Sequence, residues 1–252
     1  MSATNTPQER IPEANDFPKD IILSLVPSQD KKPPSNILIL LHGLGDRHEP
    51  FATLGSRFNF PETLCISLRG PSQLPFSETG FHWGDDLIFD SSTGGLDMDT
   101  GFERTVKMLE TVIDEVLIGK CGWSRRAIIF FGFGQGGMVA LNTAARLSSS
   151  NADGEFGGVI SIGGPLPHSA PSPHPKAKTP VIVLGGSKNT AITDTAESRI
   201  RNVFGAATIV HWSGKSGDGM MQNAEETRPM MEFIARRLRS KAGIPKGAVE
   251  LR

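Results

Sequence analysis

Two cysteines, Cys65 and Cys121, are all that this chain of 252 residues contains. That is too few for a disulfide scaffold, and Cys65 lies in an apolar, strand-like run that reads as a buried thiol. No apolar stretch approaches the roughly 18 residues a membrane-spanning helix needs, so no span is expected. Neither sign of charge dominates. Lys and Arg number 26 against 27 Asp and Glu, a net charge of −1, so there is no basic surplus to drive nucleic-acid binding by counterion release. The opening stretch, MSATNTPQERIPEANDFPKD, has neither the basic nor the apolar region of a signal peptide, so a cytoplasmic protein is expected. Tyrosine is absent altogether, and nothing else in the sequence accounts for that. His168 and His174 share a loop-like segment, Pro165–Pro180, that holds six prolines. They have no carboxylate or thiolate company, so no metal site is assigned there, and no cofactor is expected.

What is present fits one folded unit. Apolar residues make up 38% and charged residues 21%, ordinary values for a globule, and the length suits a single α/β domain with a full core. Residues 1–19 and 241–252 read as tails, the first of them polar and flexible, leaving 20–240 as the domain. Within it Asp20–Val26 reads as an edge strand, and Asn36–Leu41, Thr63–Leu68, Ala127–Phe131, Gly158–Ile162, Val181–Leu184 and Thr208–Trp212 as further strands. NILILL at Asn36–Leu41 is continuously apolar, as a strand buried on both faces must be. Helical periodicity marks Phe51–Phe58, Thr100–Ile118, Met138–Leu147, Asp194–Phe204 and Ala224–Leu238. Strands alternating with helices at this spacing predict a mostly parallel sheet covered on both faces.

The chemistry turns on a residue that is missing. Ala127–Gly137 reads AIIFFGFGQGG, a strand entering a glycine-rich turn and leaving into a helix. This is the layout of a nucleophile elbow, G-x-S-x-G, whose serine stands at the apex of the turn. Here the apex is Gly134, which has no side chain to attack a carbonyl. Such an apex is strained for a residue with a Cβ, and glycine relieves the strain. The strand Asn36–Leu41 runs into His42-Gly43-Leu44-Gly45-Asp46. In that arrangement the main-chain N–H groups of Leu44 and Gln135 are the candidate oxyanion-hole donors. Both survive the loss of the serine.

LHGLGD, then GPSQLPF and GFHWGDD within Gly70–Asp86, then GFGQGG, then GGVISIGGPLP at Gly157–Pro167 follow one another in this order. In this the chain resembles the phospholipase/carboxylesterase family, which includes the acyl-protein thioesterases, from about Asn36 to Leu238. The resemblance implies an α/β-hydrolase fold and, in a complete member, a Ser–Asp–His triad. The family serine falls on Gly134. The family aspartate, in VIVLGGSKNTAIT, falls on Asn189. The family histidine, in GKSGDGM, falls within a residue or two of Asp218. No histidine follows His211, and His211 lies inside the strand pattern TIVHW, where packing into the sheet is expected. Without serine there is no acyl-enzyme, and without histidine no general base. The resemblance also places His82 and Trp83 in a loop that borders the acyl-binding groove, although loop packing explains them at least as well, and His42 and Gly43 are further pocket candidates.

The expectation is therefore a non-catalytic relative that binds an acyl or carboxylate ligand, or a protein partner, with Pro165–Pro180 or the tails as contacts. Two other readings remain open. In one, His82, Asp85, Asp86, Ser161 or Asp218 activates water without the triad, although Asp85 and Asp86 also read as a turn or helix cap. In the other, Gly132-x-Gly134-x-x-Gly137 is a dinucleotide fingerprint, but Asp153 and Glu155 precede the next strand rather than end it.

Overall fold

The structure, a computed structural model, describes residues 9–240 except 31, 92–93 and 151–153. Seven strands form the central sheet: β1 (Leu23–Val26), β2 (Asn36–Leu41), β3 (Thr63–Leu68), β4 (Ile128–Phe133), β5 (Gly158–Ile162), β6 (Val181–Gly186) and β7 (Ala207–Trp212). Their order is β1-β3-β2-β4-β5-β6-β7. All pairs are parallel except β1 with β3, which run antiparallel with Leu23 opposite Leu68 and Val26 opposite Cys65. Every residue of β2, β3, β5 and β6 is buried, while the edge strands β1 and β7 are only half-buried. That contrast is why the inner strands are continuously apolar.

Alternate residues of each strand feed opposite layers. Ile37, Ile39 and Leu41 of β2 pack with Val106, Leu109, Val139 and Ile200, and Leu38 and Leu40 pack in a separate cluster with Phe51, Met230 and Ile234. Helix α2 (Glu103–Glu110), α3 (Gln135–Ser150) and α4 (Asp194–Val203) thus contribute to one layer, and α1 (His48–Phe58) and α5 (Ala224–Ala235) to the other. Cys65 is buried in the second cluster, and burial pushes its thiol up to about 12.

The helix expected over 100–118 changes winding partway. Its first part is α-helical, and Thr111–Lys120 continues as a π-helix that buries Val112, Ile113, Val116 and Leu117. Hydrophobic spacing reveals the helix but not its pitch. Helix α1 starts at His48, three residues before its expected start. Two short ribbons, Ser72–Gln73 with Phe81–His82 and Phe89–Asp90 with Gly95–Leu96, are too brief to show a period in sequence.

The N-terminal tail needs a correction. Residues 1–8 and 241–252 lie outside the described residues, but from Arg10 onward the chain is docked. Arg10 N–H donates to the Cys121 carbonyl (2.9 Å), and the Trp123 indole N–H donates to the Arg10 carbonyl (2.8 Å). Arg10 also forks onto Asp16 through bonds of 2.7 and 2.6 Å, and Phe17 is buried. A buried indole needs an acceptor, and the strap supplies it. The Pro165–Pro180 segment is irregular, as expected, but its start is fastened rather than loose. Arg199 donates to the carbonyls of Pro167 (2.7 Å) and His168 (3.2 Å), and Leu166 is buried.

Candidate functional site

The turn between β4 and α3 has the backbone geometry of an elbow. Gly134 sits at φ +50°, in the left-handed region, and its N–H donates to the Ile162 carbonyl (2.8 Å). The flanking glycines are needed for close approach. A Cβ on Gly132 would overlap the Gly136 backbone, and one on Gly136 would overlap the carbonyls of Leu41 and His42. At Gly134 itself a Cβ would meet only the Met98 methyl, at 3.6 Å, its chain neighbours aside. The apex therefore has room for a side chain and carries none. Gln135 is the first residue of α3, so its N–H lacks an intrahelical partner. Leu44, half-buried, sits in the loop after β2. Among the described residues neither N–H donates to a protein acceptor.

The loops around the elbow are tied by buried polar groups. The Gln135 side chain is 1% exposed; its Oε1 accepts from Trp83 N–H (2.8 Å), and its Nε2 donates to the Met98 carbonyl (3.3 Å). Trp83 is fully buried, and its indole N–H donates to the His42 carbonyl (2.7 Å). His42 is also fully buried; Nε2 accepts from Gly70 N–H (2.9 Å), so Nδ1 carries the proton and donates to the Gly43 carbonyl (2.7 Å). Burial pushes His42 down to about 4, so near neutral pH it is an uncharged strut. A Cβ on Gly43 would lie 2.8 Å from the Phe133 ring. His42, Gly43 and Trp83 are thus buried within the packing of these loops. His82 is 5% exposed, its Nδ1 has no partner among the described residues, and burial, aided by Arg104, lowers its pKa.

The positions matched to the family aspartate and histidine lie in two adjoining loops, after β6 and β7. Asn189 is exposed. Its N–H donates to the Ser216 carbonyl (2.9 Å), and its Nδ2 donates to Ser216 Oγ (3.4 Å). Asp218 turns inward and accepts from Gly186 N–H (2.8 Å), Thr190 Oγ1 (2.7 Å) and Ala191 N–H (2.7 Å). A Cβ on Gly163 would stand 2.6 Å from that of Asp218, and one on Gly164 would overlap the Gly134 carbonyl. The structure thus brings Asp218 to the elbow's side of the sheet. Asn189 bonds Ser216 instead of joining it.

The remaining candidates have other partners. His211 does not point into sheet packing as expected. It is about one-third exposed, and both ring nitrogens face acceptors: the Gly186 carbonyl at Nδ1 (2.8 Å) and Glu197 at Nε2 (2.8 Å). Both contacts raise its pKa, Gly186 first, and favour the charged ring. Ser161 is fully buried and donates to the Gly164 carbonyl (2.6 Å). Asp85 caps α2, accepting from Glu103 N–H (2.7 Å) and Arg104 N–H (2.9 Å), and Asp86 accepts from Leu87 N–H (2.7 Å). His168 Nδ1 lies 2.9 Å from Arg199.

Among the surface cavities of the described residues, one of about 560 Å³ is lined by residues 73–78 and another of about 320 Å³ by Pro180, Gly205–Thr208, Phe233, Arg236 and Arg237. Neither borders the elbow. At the elbow itself, the Met98 methyl stands 3.6 Å from where an apex Cβ would lie. Sequence reasoning missed Met98, the Gln135 side-chain bridge and the inward carboxylate of Asp218. None of the three has a signal in spacing or periodicity.

Comparison with known proteins agrees with this architecture. The sequence profile of the Phospholipase/Carboxylesterase family matches residues 25–240. An uncharacterized hydrolase of Schizosaccharomyces pombe is 32% identical over 226 residues, covering 88% of this chain and 90% of that protein. One of Mycosarcoma maydis is 32% identical over 213 residues, covering 82% and 78%. The fold is shared with esterase PE8, at TM-score 0.66 and 19% identity over 86% of this chain and 99% of that one. It is shared too with Zea mays acyl-protein thioesterase 2, at TM-score 0.62 and 16% identity over 86% and 98%. With the sheet order, the elbow and the match over 25–240 all in agreement, the chain belongs to the phospholipase/carboxylesterase family of α/β-hydrolase-fold proteins.

Proposed function

We propose that this chain is a non-catalytic member of its family, one that keeps the oxygen-binding main-chain groups of an ester or thioester hydrolase without the groups that turn over a substrate. The observation that carries the reading is the apex: Gly134 holds the elbow conformation at φ +50° with no side chain, and the nearest side chain beyond its neighbours is a thioether, not a base. A nucleophile needs a base within hydrogen-bond reach. His42 has both ring nitrogens engaged, as does His211, and His82 is buried. Asp218 is committed to three donors. Ser161, Asp85 and Asp86 are held in contacts of their own, which weighs against the reading in which they activate water.

The ligand class follows from Leu44 N–H and Gln135 N–H, which favour a carboxylate or acyl oxygen once the Met98 methyl gives way. Two assays test this. The wild type is expected to hydrolyse neither p-nitrophenyl esters nor long-chain acyl thioesters above the buffer rate, and to resist fluorophosphonate labelling. Turnover above that rate would sink the non-catalytic reading. Octanoate titrated calorimetrically is expected to bind more tightly to Met98→Ala than to the wild type. Binding to neither protein would leave the oxygen-binding role without support and turn attention to a protein partner.

A further inference from the structure

The loop that follows β6 forms a closed set of hydrogen-bond donors around one carboxylate. Gly186 N–H, Thr190 Oγ1 and Ala191 N–H converge on Asp218 at 2.7–2.8 Å, two of them on Oδ1 and one on Oδ2. The Thr190 hydroxyl is oriented by a second bond, accepting from Ile192 N–H (3.0 Å). The walls are cut to admit the side chain: a Cβ on Gly163 would lie 2.6 Å from Asp218 Cβ, and one on Gly185 would lie 2.9 Å from Oδ1. Beside it the two loops pair along their backbones, with Ser187 N–H donating to the Lys215 carbonyl (2.8 Å) and Lys188 and Asn189 N–H to the Ser216 carbonyl (3.1 and 2.9 Å). Two main-chain amides, five residues apart, and a hydroxyl converge on one anion. Charge-assisted bonds to such donors are the strong kind.

We propose that the Gly186–Ala191 loop is a carboxylate receptor whose resident ligand is Asp218, and that Asp218 is the positioning residue fastening the loop after β7 to the loop after β6. The receptor takes a small monocarboxylate of formate or acetate size when its own side chain is removed. The assignment is geometric and holds whether or not the chain turns over an ester, so its fate is separate from that of the non-catalytic reading.

The experiment is chemical rescue followed by thermal unfolding. Asp218→Ala leaves three donors facing a side-chain-sized void, and its melting temperature is expected to fall by roughly 5–10 °C. Sodium formate is expected to restore part of that loss along a saturable curve, sodium chloride of equal ionic strength is not, and the wild type should respond to neither salt specifically. Equal rescue by both salts, or an Asp218→Ala protein as stable as wild type, would overturn the proposal. Should Asp218→Ala fail to fold, Asp218→Asn and Thr190→Val carry the test. Each is expected to lower the melting temperature, and the double variant by clearly less than the two losses added together, since both act on one bond. Simple additivity would count against the receptor.

Discussion

At position 134 a side chain is sterically admissible and chemically idle. Gly134→Ser would place its Cβ at ordinary contact distance from Met98 while holding a left-handed backbone. The variant is expected to fold, to lose about 1 kcal/mol in urea titration, and to remain unlabelled by a fluorophosphonate, since only the Met98 methyl, and no ring nitrogen beyond the chain neighbours, lies within 4 Å of that Cβ. Labelling of the introduced serine would show that a base stands within reach after all. His42 gives a second expectation with a definite sign. Its folded pKa, about 4, lies below the ordinary histidine value of 6.5, so the unfolded chain binds the proton first as pH falls. Stability is full above 6.5 and declines between 6.5 and about 4, by an amount on the order of 3 kcal/mol. A melting curve taken across that window should show the decline in the wild type and a shallower one in His42→Gln.

The elements divide sharply in how much of them the sequence discloses. β2, β3, β5 and β6 are legible because burial on both faces forces unbroken apolar runs, and α3 because it follows a turn with a known signature. The polar struts are not legible. Whether Asp218 faces solvent or three donors depends on how two loops 28 residues apart come together, and no local pattern encodes that. His211 is another instance, read from TIVHW as an inward residue although it lies on an edge strand. There it joins β7 to α4 through Glu197 and to β6 through Gly186. These contacts raise its folded pKa above the unfolded value, the opposite sign to His42. Their contribution is fully present below about 6.5 and is lost as pH rises through the folded pKa. His211→Ala should accordingly cost more stability at pH 5.5 than at pH 9, and an equal cost at both would remove the charged contact from the account.

On the scale of the whole molecule, the strap at 10–17 closes over the π-helical end of the second long helix. Arg10 and Asp16 lie against Lys120, Cys121 and Trp123, and Cys121 is fully buried. A chain beginning at residue 17 is expected to keep its fold, melt a few degrees lower, and expose Cys121 to a thiol reagent at a rate at least tenfold above wild type. Cys65, buried in the other layer, serves as the internal control. Equal reactivity of the two thiols before and after truncation would mean that the strap covers nothing.

The glycines around position 134 also bear on how such chains are recognised. Gly132 and Gly136 stand where any Cβ would overlap backbone atoms, and Gly137 where one would overlap the Ser161 hydroxyl. Their identity answers to the crossing of β4 and α3 over β2 and β5, and it would be retained by selection for folding alone. Selection for catalysis acts only on the residue at the apex. A lineage that abandons the reaction would therefore preserve the spacing of the motif indefinitely while its central letter drifts. Counting enzymes in a genome by that spacing would enrol their silent descendants along with them.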